Sequence, residues 1–192
     1  MKDTLAPLQS QSRPSLRPAS ADAAAVFASL YRRWSGDARR LSRESMQAVR
    51  SATGSRIVDV LSIWDEQEAC WLADAPTMIR LDTCDITAFA MHSPLIAIHR
   101  GRVETDSPIA TFGSHSRLEN GSRASQPFFW RSVRPCSYAL GRTVERFAFE
   151  TDGRKRLLAL EAHLDDGGWL RMSSFGIDSE RSYSYASRMF FK

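Results

Sequence analysis

The chain has too few cysteines for a disulfide framework: three in 192 residues, Cys70, Cys84 and Cys136, with no C-x-x-C pair. Free thiols in a reducing compartment are expected, and structural metal held by cysteine is not. No apolar run approaches the length needed to cross a bilayer, so no membrane contact is expected. The N-terminal segment MKDTLAPLQSQSRPSLRPAS also lacks the continuous apolar core of a secretory signal. Cytoplasm is the simplest expected location. Lysine is scarce, standing only at positions 2, 155 and 192, so nearly all positive charge is arginine. Enzyme signatures are absent as well: there is no G-x-S-x-G elbow, phosphate-binding loop, dinucleotide glycine fingerprint or H-E-x-x-H. The four histidines, His92, His99, His115 and His163, lack zinc-site spacing. A non-enzymatic protein is the expectation.

What is present divides in two by charge. Residues 1–56 carry ten basic and four acidic side chains, net +6, and the remainder carries sixteen and eighteen, net −2. Residues 1–19 combine three prolines with serine and glutamine and show no periodic apolar pattern, the composition of a disordered leader. Residues 20–192 are expected to form one domain. Ser20 is a plausible N-cap before Ala23, Val26, Phe27, Leu30, Tyr31 and Trp34, whose spacing of three and four defines a helical stripe ending at Gly36. A second helix is predicted from Asp37 to Gly54, with sparser apolar positions.

From Ile57 short apolar runs alternate with turn signals, the pattern of antiparallel strands, although IVDVLSIW also has helical spacing. Residues 113–127 form a polar Gly/Ser-rich loop. Beyond it TVERFAFE, RKRLLALEAHL and WLRMSSF are separated by D-G dipeptides that suit tight reversals. Leu158, Leu160, Ala162 and Leu164 are expected on one face and Glu161 and His163 on the other. Asp165-Asp166-Gly167-Gly168 reads as turn chemistry, not as a catalytic carboxylate pair. The predicted class is α+β, one or two N-terminal helices on a largely antiparallel sheet of about eight strands.

The chemistry-bearing stretch is QPFFWRSVRPCSYALGR. As a strand, Phe128 and Trp130 face one side and Phe129 and Arg131 the other. Arg131 and Arg134 are near enough in sequence to converge on an anion, with Tyr138 able to stack or donate a hydrogen bond. A core strand whose arginines lie over its own rings accounts for the same residues. His99, in PLIAIHRGR beside Arg100 and Arg102, is the best candidate for a single axial ligand to haem iron, and a histidine simply satisfied at a strand end is its bland counterpart.

Three segments together resemble the bacterial cytoplasmic haem-trafficking, or haemin transport, proteins over about residues 77–165. DITAFAMHSPLIAIHRGRVE is similar to that family's histidine strand followed by glycine, FFWRSVRPCSYAL to its aromatic segment, and TVERFAFETDGRKRLLALEAHL to its hairpin. Arg100 stands where the family's pattern has an acidic residue. The resemblance implies a helix-preceded antiparallel sheet that holds haem. On that basis His99 is expected to ligate the iron, Arg102, Arg131 and Arg134 to pair with the propionates, and Phe129, Trp130 and Tyr138 to contact the macrocycle. A second expectation, independent of the resemblance, is a non-enzymatic adaptor whose basic N-terminal helices bind an acidic partner protein or nucleic acid. Nucleic acid is disfavoured because aromatics are not spaced along a basic groove. A homodimer is compatible with either reading.

Overall fold

The computed structural model describes residues 38–66, 69–71, 75–92, 94–106, 128–174 and 176–180. The expected leader, the stripe from Ala23 to Trp34, the loop 113–127 and the C-terminal tail from 181 lie outside them.

The first described element is helix α1, Ala38–Arg50. Its inward positions are Leu41, Ser42, Ser45, Met46 and Val49, one helical face with two serines where a core helix usually carries aliphatics. Those hydroxyls are used. The Ser45 hydroxyl donates to Ile98 O and accepts from Ile98 N–H, each at 3.2 Å, and Ser42 Oγ accepts Leu157 N–H at 2.9 Å. The helix thus pairs with open backbone groups that no aliphatic could satisfy. After a turn the chain reverses at Gly54, whose φ of +86° suits glycine.

Ten strands follow: β1 (Ile57–Asp65), β2 (Cys70–Trp71), β3 (Thr77–Leu81), β4 (Asp85–His92), β5 (Leu95–Arg100), β6 (Phe128–Ser132), β7 (Val144–Thr151), β8 (Leu157–Leu164), β9 (Trp169–Ser173) and β10 (Gly176–Glu180). A 3-10 helix, Arg134–Ala139, separates β6 from β7. The class is α+β and, among the described residues, all strand pairing is antiparallel, but ten strands stand there in place of the expected eight or so and lie in two sheets. IVDVLSIW is strand β1, the centre of the six-stranded sheet. One edge of β1 pairs with β3 and then with β2, while the other pairs with β6. Beyond β3 come β4 and β5. The second sheet is the meander β7–β8–β9–β10. Its first strand is joined to the start of β1 by Gly54 N–H to Val144 O and Val144 N–H to Ser55 O, at 2.8 and 2.9 Å.

Two apolar clusters result, one on each face of the six-stranded sheet. The larger lies between the sheets and contains Val60, Ile79, Ile86 and Ile98 from the first with Leu157, Leu160, Leu170 and Met172 from the second. The smaller contains Leu61, Ile63, Met78, Phe89, Ala97, Phe128 and Trp130. Alternation along each strand allots successive residues to the two. In β8 Leu157 is fully buried and Leu158 only half-buried, because a register shift at Glu150/Thr151 moves the alternation by one. The carboxylates expected at the β8–β9 turn serve it: Asp166 Oδ1 accepts Gly168 N–H at 3.0 Å and Asp165 Oδ2 accepts Thr143 N–H at 3.2 Å.

Candidate functional site

The strand register determines which candidate residues share a face. Leu61, Met78, Thr87 and His99 form one cross-strand row, and Ser62, Thr77, Ala88 and Ile98 form the next, pointing the other way. Trp130 pairs with Ile63 and so lies on the His99 face; Phe129 and Arg131 pair with Trp64 and Ser62 and lie on the opposite face. The thickness of the sheet separates the expected iron ligand from Arg131 and Phe129. His99 is also on β5, with β4 and β3 between it and β1, while Arg131 is on β6 beyond β1.

His99 is half-buried, and a Cβ built on Gly101 would lie 2.7 Å from its Nε2, so the imidazole lies against the glycine. Burial lowers its pKa below the usual 6.5 and outweighs the opposing pull of the Asp85 carboxylate. The ring is therefore neutral at pH 7. Directly across from it on β4, Thr87 Oγ1 is buried and has no hydrogen-bond partner among the described residues.

Arg102, expected on a propionate, is engaged within the fold. Its guanidinium donates to Leu81 O, Asp82 O and Asp85 Oδ1 at 3.1, 2.7 and 3.1 Å. Asp85 is wholly buried and also accepts from Arg80 Nε at 3.2 Å and from Val103 N–H at 2.8 Å. This buried carboxylate ties the segment after β5 to the β3–β4 turn. Trp130 is 5% exposed, and its indole Nε1 has no partner among the described residues. Tyr138, in the 3-10 helix, packs on the larger core and donates its hydroxyl to Trp169 O at 2.8 Å. Arg134 opens that helix, exposed and without an ion-pair partner among the described residues.

Phe129 and Arg131 remain together, and they have neighbours that sequence reasoning did not pair with them. Trp64 lies between Trp71 of β2 and Phe129 of β6, each directly opposite it in register, so three partly buried rings cross three strands on one face, with Trp71 also packed against the larger core. Trp64 and Trp71 meet edge to face, with centroids 5.1 Å apart and planes at 75°. The Arg131 guanidinium sits 5.5 Å over the Phe129 ring and pairs with Glu66 at 3.3 Å. Both members of that pair are about half-exposed, 51% and 48%. The available signal was the aromatic content of IVDVLSIW and ACWLA; nothing local indicated that Trp64 would lie beside a residue 65 positions later.

A second surface feature is the outward face of α1, where Arg39, Arg40, Arg43 and Arg50 are exposed with one acidic residue, Glu44. Arg40 pairs with Glu44 at 2.9 Å, and the Arg50 guanidinium lies 5.9 Å from the centre of the Phe149 ring.

No group of three His, Cys, Asp or Glu side chains among the described residues is placed to hold a metal ion. No described helix is long and apolar enough to cross a membrane. No family model, curated protein or solved structure matches the chain.

Proposed function

We propose that the protein is a non-catalytic binding protein for a flat, anionic aromatic ligand, of which haem is the leading example. The ligand is taken on the platform formed by Trp71, Trp64 and Phe129, with Arg131 as the cation. The observation that carries this reading is the in-register row of three partly buried rings, of which Trp71 also packs on the larger core, ending at a half-exposed guanidinium. Ring faces of this kind contribute about 1–3 kcal/mol for each stacked heterocycle. The Arg131–Glu66 pair does not block an anion. An exposed pair is worth only about 0–1 kcal/mol, so a ligand carboxylate can replace Glu66 at little cost. Arg134 follows the far end of β6, where Val133 N–H bonds Val60 O, and is not part of the platform.

His99 has no part in this reading, because register assigns it to the opposite face. The reading therefore makes a distinction that axial ligation would not: iron is unnecessary. Haemin and metal-free protoporphyrin should both quench the tryptophan fluorescence of the purified protein, with similar affinity. Phe129→Ala and Arg131→Gln should weaken both ligands by about tenfold, while His99→Ala changes neither. Absence of quenching by either porphyrin rejects the proposal, and loss confined to haemin in His99→Ala would replace it with iron ligation on the other face.

A further inference from the structure

The outward face of α1 is independent of the aromatic platform and has a different chemistry. We infer that it is a docking surface for an acidic segment of a partner protein.

Three observations carry this. The face is strongly one-signed, with four exposed arginines against Glu44, within the N-terminal part of the chain that carries a net charge of +6. All four cations are guanidinium groups, whose planar fork matches a carboxylate with two parallel hydrogen bonds. The helix is held firmly from behind: Ser45 is bonded to the β5 edge and Ser42 to the start of β8, so the arginines are presented on a pre-positioned scaffold. Less ordering then opposes binding.

Charge alone also attracts nucleic acid, but the surface lacks what single strands need. The described outward positions of α1 are Arg39, Arg40, Arg43, Glu44, Gln47 and Arg50, none of them aromatic, and the Phe149 ring under Arg50 belongs to β7 and is partly buried against the larger core. The electrostatic fit is to carboxylates spaced along a peptide.

The test uses the full chain and a fluorescein-labelled glutamate-rich peptide, read by fluorescence anisotropy, with a labelled single-stranded oligonucleotide as competitor. The peptide is expected to bind at low salt and to weaken steeply as salt is raised. The combined variant Arg39→Glu, Arg43→Glu, Arg50→Glu is expected to weaken it by about tenfold or more. The same variant should keep the wild-type circular dichroism spectrum, and Arg131→Gln should bind the peptide like wild type. A charge-reversed protein that binds the peptide as well as wild type overturns the inference. So does an oligonucleotide that displaces the peptide and depends on the same three arginines with higher affinity. Failure of porphyrin binding leaves this inference intact, since the two surfaces share no residue.

Discussion

Replacing Asp85 with alanine separates a structural arginine from a ligand-binding one. The carboxylate is wholly buried and accepts hydrogen bonds from Arg80, Arg102 and the Val103 amide. Its removal leaves the Val103 N–H, in a residue 6% exposed, without its acceptor, a cost of about 1–3 kcal/mol. Arg80, with 24% of its side chain exposed, loses its charge partner but keeps Thr105 Oγ1 and Val103 O, so only part of a buried-pair penalty applies. Arg102 is 57% exposed and rehydrates, which adds little. Together these give a loss of about 3–4 kcal/mol, or a fall in Tm of roughly 6–16 °C for a chain of this size. Urea unfolding followed by tryptophan fluorescence measures it directly. Arg102→Ala should cost less than about 1 kcal/mol and leave porphyrin binding unchanged. A loss below about 1 kcal/mol for Asp85→Ala refutes the argument, and weaker porphyrin binding in Arg102→Ala returns that residue to the site.

Further outcomes follow from the same structure. Ser45→Ala removes both hydrogen bonds to Ile98 and should destabilise by about 1–3 kcal/mol in urea, whereas Ser51→Ala, on an exposed hydroxyl, should be close to neutral. The folded state holds His99 neutral, so the unfolded chain takes up its proton first as pH falls. Stability from this group is complete above about pH 6.5 and is lost as pH falls through 6.5 towards the lower folded value. The His99→Gln variant should show a flatter urea midpoint across that window, and an unchanged slope would show that other groups carry the dependence. In Gly101→Ala the new methyl group displaces the imidazole from its 2.7 Å position, and the His99 pKa read by NMR titration should rise towards 6.5.

Elements built on local pattern were legible in the sequence. Alternation placed Phe128 and Trp130 inward and Phe129 and Arg131 on the other face, and the D-G dipeptides at 152–153 and 166–167 lie at reversals. Helix α1 was legible as a helix, but its inward face was not, because Ser42 and Ser45 look solvent-facing until the strands they bond are known. Long-range pairing was the main gap. Sequence proximity suggested that Arg131, Arg134 and Tyr138 act together, but β6 turns into a 3-10 helix that directs Tyr138 to Trp169 of the second sheet. His99 and Arg102 are three residues apart, yet one lies against Gly101 and the other crosses to Asp85 and the β3–β4 turn. Neither pairing has a local signature.

The contact between Ser45 and Ile98 also bears on how copies of the chain behave towards one another. Among the described residues strand β5 ends the six-stranded sheet, and the amide and carbonyl of Ile98 are taken up by the bonds that the serine makes. A proteolytic cut or mutation that detached α1 would uncover a rung able to accept a strand from a neighbouring molecule. The helix is thus a guard against polymerisation as well as a carrier of charge, and its loss should register first as light scattering that grows with protein concentration.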